Sequence, residues 1–183
     1  MFALLHFIFT IFKIAIQASL YATIILFLCR FVYKIANSRL LDRMLVEKWK
    51  FWWRTMLVIS FGLFFYFFSY WGDHGLGDGA RIPIGHHQDI RNGDGVWTYF
   101  RTSDHRQRHI YNFEVRNDKI FAEQDDMKYL IFDLKSLELL EFRNKEEYEV
   151  FAKKNKLPMT RSFRDFHAHY KAYWSGWRFW LLP

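Results

Sequence analysis

Histidine is the residue type in this chain with the clearest potential for chemistry, and two groups of histidines are candidates for it. His167 and His169 are two residues apart, so on a helix their side chains point about 200° apart and cannot chelate one ion together. His86 and His87 follow a glycine-rich segment that also holds His74, and such a loop can supply metal ligands. The spacing matches no zinc signature. We therefore expect no bound metal and keep His74, His86 and His87 as weak candidates.

Motifs for nucleophilic, phosphate-binding or calcium-binding chemistry are missing from the sequence. The segment from Asp89 to Gly95 resembles a calcium loop only in its last three residues, and it lacks the alternating acids and the bidentate Glu. There is no G-x-S-x-G, no Walker loop and no G-x-G-x-x-G after a strand. The single cysteine, Cys29, lies in an apolar segment. These observations predict a protein that is not an enzyme and that carries no cofactor.

Four polar residues near the N-terminal end of the sequence share one face of a predicted helix. His6, Thr10, Lys13 and Gln17 are spaced four, three and four apart. A polar stripe that faces lipid is costly, so we expect this face to contact a partner subunit. Two alternatives stay open: Lys13 can extend to the membrane surface, or the stripe can line a proton or ion path, although no carboxylate accompanies it.

The end of the sequence is rich in aromatic residues. A platform that stacks single-stranded nucleic acid needs interleaved basic residues, and Lys171 with Arg178 is too few. Trp177, Phe179 and Trp180 are unusually apolar for a free tail, so they should close the core, anchor at a membrane surface or bind a protein. We predict an ordered tail and include these three residues in the partner-binding set.

Two long apolar segments must position the polar stripe. Residues 55–71 contain no charge and, as a helix, cover roughly 26 Å, close to the hydrocarbon thickness of a bilayer. Aromatic residues flank this segment at both ends, as at membrane interfaces. Residues 14–29 are also uncharged, and an equally apolar run precedes them. We predict two transmembrane helices, at about 3–33 and 52–71, that form a hairpin over residues 1–71.

Charge predicts the orientation of this hairpin. Its connecting loop, residues 34–50, is strongly basic, which is the pattern of a cytoplasmic loop or of a polybasic lipid-binding patch on the same side. Residues 72–183 then lie on the outer side of the membrane. We expect no cleaved signal peptide, because no basic region precedes the first apolar run and no A-x-A-like site follows it.

The remaining residues, 72–183, predict a small extracytoplasmic α+β domain. Glycines punctuate residues 72–95, which we expect to be irregular. Short β-branched and aromatic runs from Val96 onward then predict an antiparallel β meander. Two capping patterns, at Asn144–Glu147 and Ser162–Asp165, predict two helices after the strands.

Composition places this protein in the membrane-associated class. Of the 183 residues, 51% are hydrophobic and 21% are aromatic, while one cysteine excludes a disulfide scaffold. The net charge of +7 arises mostly from residues 1–71, so a nucleic-acid role does not follow from it. We expect a non-enzymatic accessory subunit of a larger inner-membrane assembly, with other membrane subunits and the lipid bilayer as its partners. The alternatives are a membrane-anchored immunity or defence protein that binds a toxin or phage factor, and a membrane-anchored metal-dependent hydrolase.

Overall fold

The computed structural model describes residues 2–36, 45–72, 79–102 and 106–183, except for the side chains of residues 2–4, 6 and 36. The chain divides into two compact units. The hairpin unit comprises Met1–Gly72 and Trp177–Pro183, and the sheet unit comprises Asp73–Gly176. The sequence placed the boundary at residue 71 and assigned the whole remainder to one domain. In this division the tail groups with the first helix, whose side chains bond to its backbone carbonyls.

Among its described residues the hairpin unit contains the helices α1 (Phe2–Ala36) and α2 (Lys48–Phe68) and the short α3 (Trp177–Leu181). Helices α1 and α2 are both long and apolar enough to cross a membrane. The second helix begins at Lys48, inside the segment predicted as loop, and ends three residues before Trp71. Ala18 and Ala22 of α1 are fully buried, and such small side chains permit close contact between helices.

The strands of the sheet unit form two antiparallel meanders. The first sheet has the order β1-β2-β3-β4 and the second has the order β5-β6-β7-β8. The strands are β1 (Gly79–Gly85), β2 (Gln88–Gly93), β3 (Trp97–Arg101), β4 (Gln107–His109), β5 (Phe113–Arg116), β6 (Lys119–Glu123), β7 (Tyr129–Asp133) and β8 (Leu139–Phe142). An antiparallel sheet with helices was predicted, and the structure confirms this coarse class for the segment that follows the long helices.

Strands β1 and β2 correct the expectation of an irregular segment over residues 72–95. Within the described part of that segment, Ile82 pairs with Ile90, and both side chains are buried. The turn between the strands is formed by His86 and His87, which both adopt positive φ. These two isoleucines form the apolar face of the strand pair. Glycines and charged residues interrupt the alternating pattern by which the sequence would have indicated this face.

Helices α4 (Lys145–Lys154) and α5 (Phe166–Trp174) cover the second sheet and the shared core. The Asn144 side chain accepts a hydrogen bond from the backbone N–H of Glu147, which confirms the first capping pattern. The second pattern is corrected, because Asp165 rather than Ser162 caps α5, through the backbone N–H of Ala168. Gly176, at a φ of +65°, follows the last residues of α5 and turns the chain out of the helix.

Alternating residues of the second sheet serve two cores, because successive side chains of a strand point to opposite faces. One face joins the first sheet and α5, with Phe100 and Phe132 in ring contact at 5.3 Å. The other face packs under α4, where Tyr148 is fully buried and its hydroxyl donates to the carbonyl oxygen of Pro158 at 2.6 Å. Burial raises the pKa of the Tyr148 hydroxyl. The sheet unit therefore covers most of its own large apolar side chains.

Candidate functional site

The polar face of α1 meets the tail inside the hairpin unit. The Gln17 amide nitrogen donates hydrogen bonds to the carbonyl oxygens of Trp180 and Leu182, both at 2.9 Å. The Tyr21 hydroxyl donates to the carbonyl oxygen of Leu181 at 2.8 Å. Carbonyls in the last turn of a helix have no partner within that helix, so Gln17 and Tyr21 cap the end of α3 from outside.

Lys13 extends this contact toward the start of the tail. Its ammonium lies 4.9 Å from the centroid of the Phe179 ring, a cation–π distance. Lys13, Gln17 and Tyr21 are each four residues apart, so they form one row along α1. These three residues therefore hold the short helix α3 through three hydrogen bonds to carbonyl oxygens and one contact with an aromatic ring.

Thr10 and the buried apolar residues of α1 form the neighbouring row. Thr10, Ile14, Ala18 and Ala22 are also four apart, and all four are buried. Gln17 is buried as well, with a relative exposure of 5%, and its Oε1 atom has no hydrogen-bond partner among the described residues. An amide in this position is costly unless its hydrogen bonds are made, so the two carbonyl contacts of its nitrogen hold Gln17 in one orientation.

The tail residues in the predicted partner-binding set remain largely exposed. Trp177, Phe179 and Trp180 are 59%, 51% and 74% exposed, although the backbone of the same short helix is held against α1. The structure therefore brings Lys13 and Gln17 together with the tail, and Thr10 lies buried one row away. The side chain of His6 lies outside the described residues. That these residues bind a partner stays a prediction.

Tyr21 is the member of this site that the sequence interpretation missed. It lies four residues after Gln17, so the helical spacing that selected Lys13 and Gln17 also reaches it. A tyrosine in an apolar segment does not by itself indicate a polar contact, because its ring packs equally well against lipid or protein. The four-residue spacing could therefore have selected Tyr21. What the sequence did not indicate is that the backbone of the distant tail accepts its hydrogen bond.

The weak metal candidates that the structure describes belong to the sheet unit. His86 lies in the β1–β2 turn, where its Nε2 atom is 3.2 Å from Oδ1 of Asp118, and His87 is exposed in the same turn. His74 lies outside the described residues. Lys135, followed by His86, lowers the pKa of the Asp118 carboxyl. Within the described ranges, no three His, Cys, Asp or Glu side chains are grouped to hold a metal ion.

The two histidines of the H-x-H pair on α5 have different surroundings, and His169 packs within the sheet unit. The Nε2 atom of His169 lies 2.8 Å from the carbonyl oxygen of Phe113, and its ring stacks on that of Phe113 at 4.2 Å. His167 lies on the exposed side of the same helix. The two rings therefore point to different surroundings, as the helical spacing predicts.

A cleft of about 560 Å³ lies between the two sheets of the sheet unit, where the edge strands β4 and β8 approach each other. Its walls carry acids and bases in similar number, and Arg108 bridges to Glu141 at 3.1 Å across them. Such a mixed surface can bind polar groups without selecting one charge.

The chain matches no protein-family model, no curated protein and no solved structure.

Proposed function

We propose that this protein is a non-enzymatic, membrane-anchored accessory subunit of a larger assembly in the inner membrane. One observation carries the proposal: the tail is fixed by its backbone while its aromatic side chains stay exposed. Trp177, Phe179 and Trp180 thus form an aromatic surface, which we call the tail surface, on a rigid support. Rigid aromatic side chains are favoured anchors in protein interfaces, because they bury a large area and lose little conformational entropy.

The exposure of the hairpin supports membrane anchoring. In the most apolar windows of α1 and α2, 22% and 6% of the residues are buried. The core helices of a water-soluble protein bury their apolar side chains, whereas Phe27 of α1 and Phe65 of α2 are 68% and 70% exposed. Exposing such apolar surfaces to water costs free energy, whereas contact with lipid does not. The surface of the hairpin therefore suits a bilayer better than water.

The basic residues at one end of the hairpin support a defined orientation. Arg30, Lys34, Lys48 and Arg54 lie where α1 ends and α2 begins, and basic residues next to a membrane-spanning segment favour the cytoplasmic side. In the proposed topology the basic loop is cytoplasmic and the sheet unit is extracytoplasmic. The partners are other membrane subunits, and nucleic acid is not among them.

Co-purification tests the tail surface. The full chain is purified from its own membranes in a mild detergent, and the co-purifying chains are quantified against the protein. The W177A/W180A variant should lose a stoichiometric partner by at least about tenfold, because two interface tryptophans contribute roughly 2 kcal/mol or more each. W53A/W71A is the matched control, since Trp53 and Trp71 are similarly exposed in the hairpin unit. An unchanged partner, or an equal loss in both variants, contradicts the proposal.

Cysteine labelling in intact cells tests the orientation. Cys29 is first changed to Ser, and single cysteines then replace Lys48 or Lys153. A membrane-impermeant reagent should label K153C and should leave K48C unlabelled until the cells are opened. Labelling of K48C from outside overturns the topology, whatever the outcome of the co-purification.

A further inference from the structure

A cavity of about 380 Å³ lies between α1 and α2 at the basic end of the hairpin. Thr23, Leu26 and Arg30 of α1 form one side, and Lys48, Trp49 and Trp52 of α2 form the other. The cavity therefore combines two cations, two indole rings and an aliphatic side chain. No residue of the tail or of the polar row on α1 lines it, so it is distinct from the site described above.

Hydrogen bonds fix the position of one wall. The Trp52 indole donates to the hydroxyl oxygen of Thr23 at 3.0 Å, and that hydroxyl donates to the carbonyl oxygen of Ser19 at 2.8 Å. The rings of Trp49 and Trp52 then meet edge to face at 6.4 Å. Trp52 is thus held in place before any ligand binds, and Trp49 lies beside it.

The charges of Arg30 and Lys48 are not neutralised by an acid among the described residues. Glu47 is next to Lys48 in sequence, but its carboxylate accepts a hydrogen bond from Lys50 at 2.7 Å. This contact lowers the pKa of Glu47 and keeps the carboxylate paired with Lys50. The first turn of α2 also contains no acidic residue, so its backbone N–H groups add to the positive potential.

From this arrangement we propose that the cavity binds the phosphate headgroup of an anionic phospholipid. Arg30 offers a planar fork of donors to the phosphate oxygens, and Lys48 offers a compact positive charge. The indole rings and Leu26 suit the glycerol and the first acyl carbons, which a free phosphate ion lacks. Basic pockets between transmembrane helices on the cytoplasmic side recognise such headgroups. The proposal rests on the membrane placement proposed above.

The test uses the full chain in mild detergent. It is titrated with phosphatidylglycerol and, separately, with neutral phosphatidylcholine, and retained lipid is counted by native mass spectrometry. The wild type should retain phosphatidylglycerol in preference to phosphatidylcholine. The R30Q/K48Q variant should lose that preference by roughly 30-fold, since two basic contacts are removed. K34Q/R54Q removes the same charge at the same end of the hairpin, outside the cavity, and should keep the preference.

Further variants and probes make the outcome decisive. R30K/K48R keeps both charges and should retain the preference, which separates loss of binding from loss of folding, and a melting curve accompanies each variant. Equal losses in R30Q/K48Q and K34Q/R54Q indicate general surface charge and overturn the site. Millimolar inorganic phosphate that displaces the lipid fully indicates a soluble-anion site and overturns the lipid assignment.

Carbonate extraction of membranes tests the membrane placement separately. Release of the wild-type protein by carbonate contradicts the proposed anchoring, whereas the lipid preference is measured on purified protein. A protein that stays in the membrane but shows no preference for phosphatidylglycerol contradicts the lipid site alone.

Discussion

The hairpin unit and the sheet unit use the same aromatic residues in opposite ways. Phe132 is fully buried between the two sheets, whereas Phe65 of α2 is 70% exposed. In the sheet unit the alternation of strand residues directs large side chains into two closed cores. In the hairpin unit, by contrast, many large apolar side chains of both long helices are exposed. The comparison shows that the sheet unit buries its large aromatic side chains in its own cores, whereas the hairpin unit leaves many of them exposed.

The two units also differ in how they satisfy buried polar groups. In the sheet unit, Asn92 donates to the Thr98 hydroxyl at 3.0 Å, over six residues of sequence. In the hairpin unit, Gln17 bonds to carbonyl oxygens that are 163 and 165 residues away. Local partners can form as a strand pair forms, but Gln17 depends on a segment far along the chain. The Gln17 contact therefore forms only when the end of the chain is present.

The largest predicted effect contrasts the two phenylalanines. F132A should lower the free energy of unfolding of the sheet unit by about 3–5 kcal/mol, because a large cavity opens in a closed core. F65A should change stability in detergent by less than about 1 kcal/mol, because its ring is mostly exposed. Denaturant unfolding followed by near-UV circular dichroism measures both. Equal effects would show that the hairpin surface is covered as completely as the sheet core.

A second prediction concerns the caps of α3. Q17L removes two hydrogen bonds to carbonyl oxygens and should destabilise the tail contact by about 1–2 kcal/mol, while Y21F removes one bond and should cost less. Protease cleavage within residues 177–183, with the sheet unit intact, measures release of the tail. T23V, which changes a polar residue two positions along α1, is the control. Unchanged protection in Q17L would mean that the tail is held by its side chains.

The smallest predicted effect is a pH dependence of the sheet unit. Lys119 and the backbone N–H groups of Ser136 and Lys135 hold the pKa of Asp133 well below its usual range. The stability from this carboxylate is present above its unfolded pKa, about 3.9, and is lost as the pH falls toward the folded value. D133N should cost about 1 kcal/mol or less at pH 7, and its stability should fall less steeply below pH 4 than the wild type. Identical acid profiles would contradict this.

The sequence predicted elements well where the pattern was local. Helices α1 and α2 followed from apolar runs, and the antiparallel strands after Val96 followed from short β-branched and aromatic runs. Two of these runs flank the β5–β6 turn, where Asn117 and Asp118 adopt positive φ. Strands β1 and β2 were missed because glycines and charged residues interrupt their alternation. Only the pairing of Ile82 with Ile90 reveals the buried face.

The candidate site was predicted in its parts but not as a whole. Helical spacing selected Lys13 and Gln17, and composition selected the tail. Nothing in a single sequence states that these two segments meet, because the contact joins residues more than 160 positions apart. Capping by a distant side chain has no local signature, unlike the cap at Asn144, which lies three residues from its donor.

The separation of Gln17 from Trp180 also sets an order of events during synthesis. At roughly 5–20 residues per second, the ribosome adds Trp180 about 8–30 s after Gln17. Throughout that interval α1 is made, but the carbonyls that accept from Gln17 and Tyr21 do not yet exist. The hairpin unit is therefore finished only after the entire sheet unit has been translated. A product truncated before Trp177 therefore leaves the buried Gln17 amide without these acceptors.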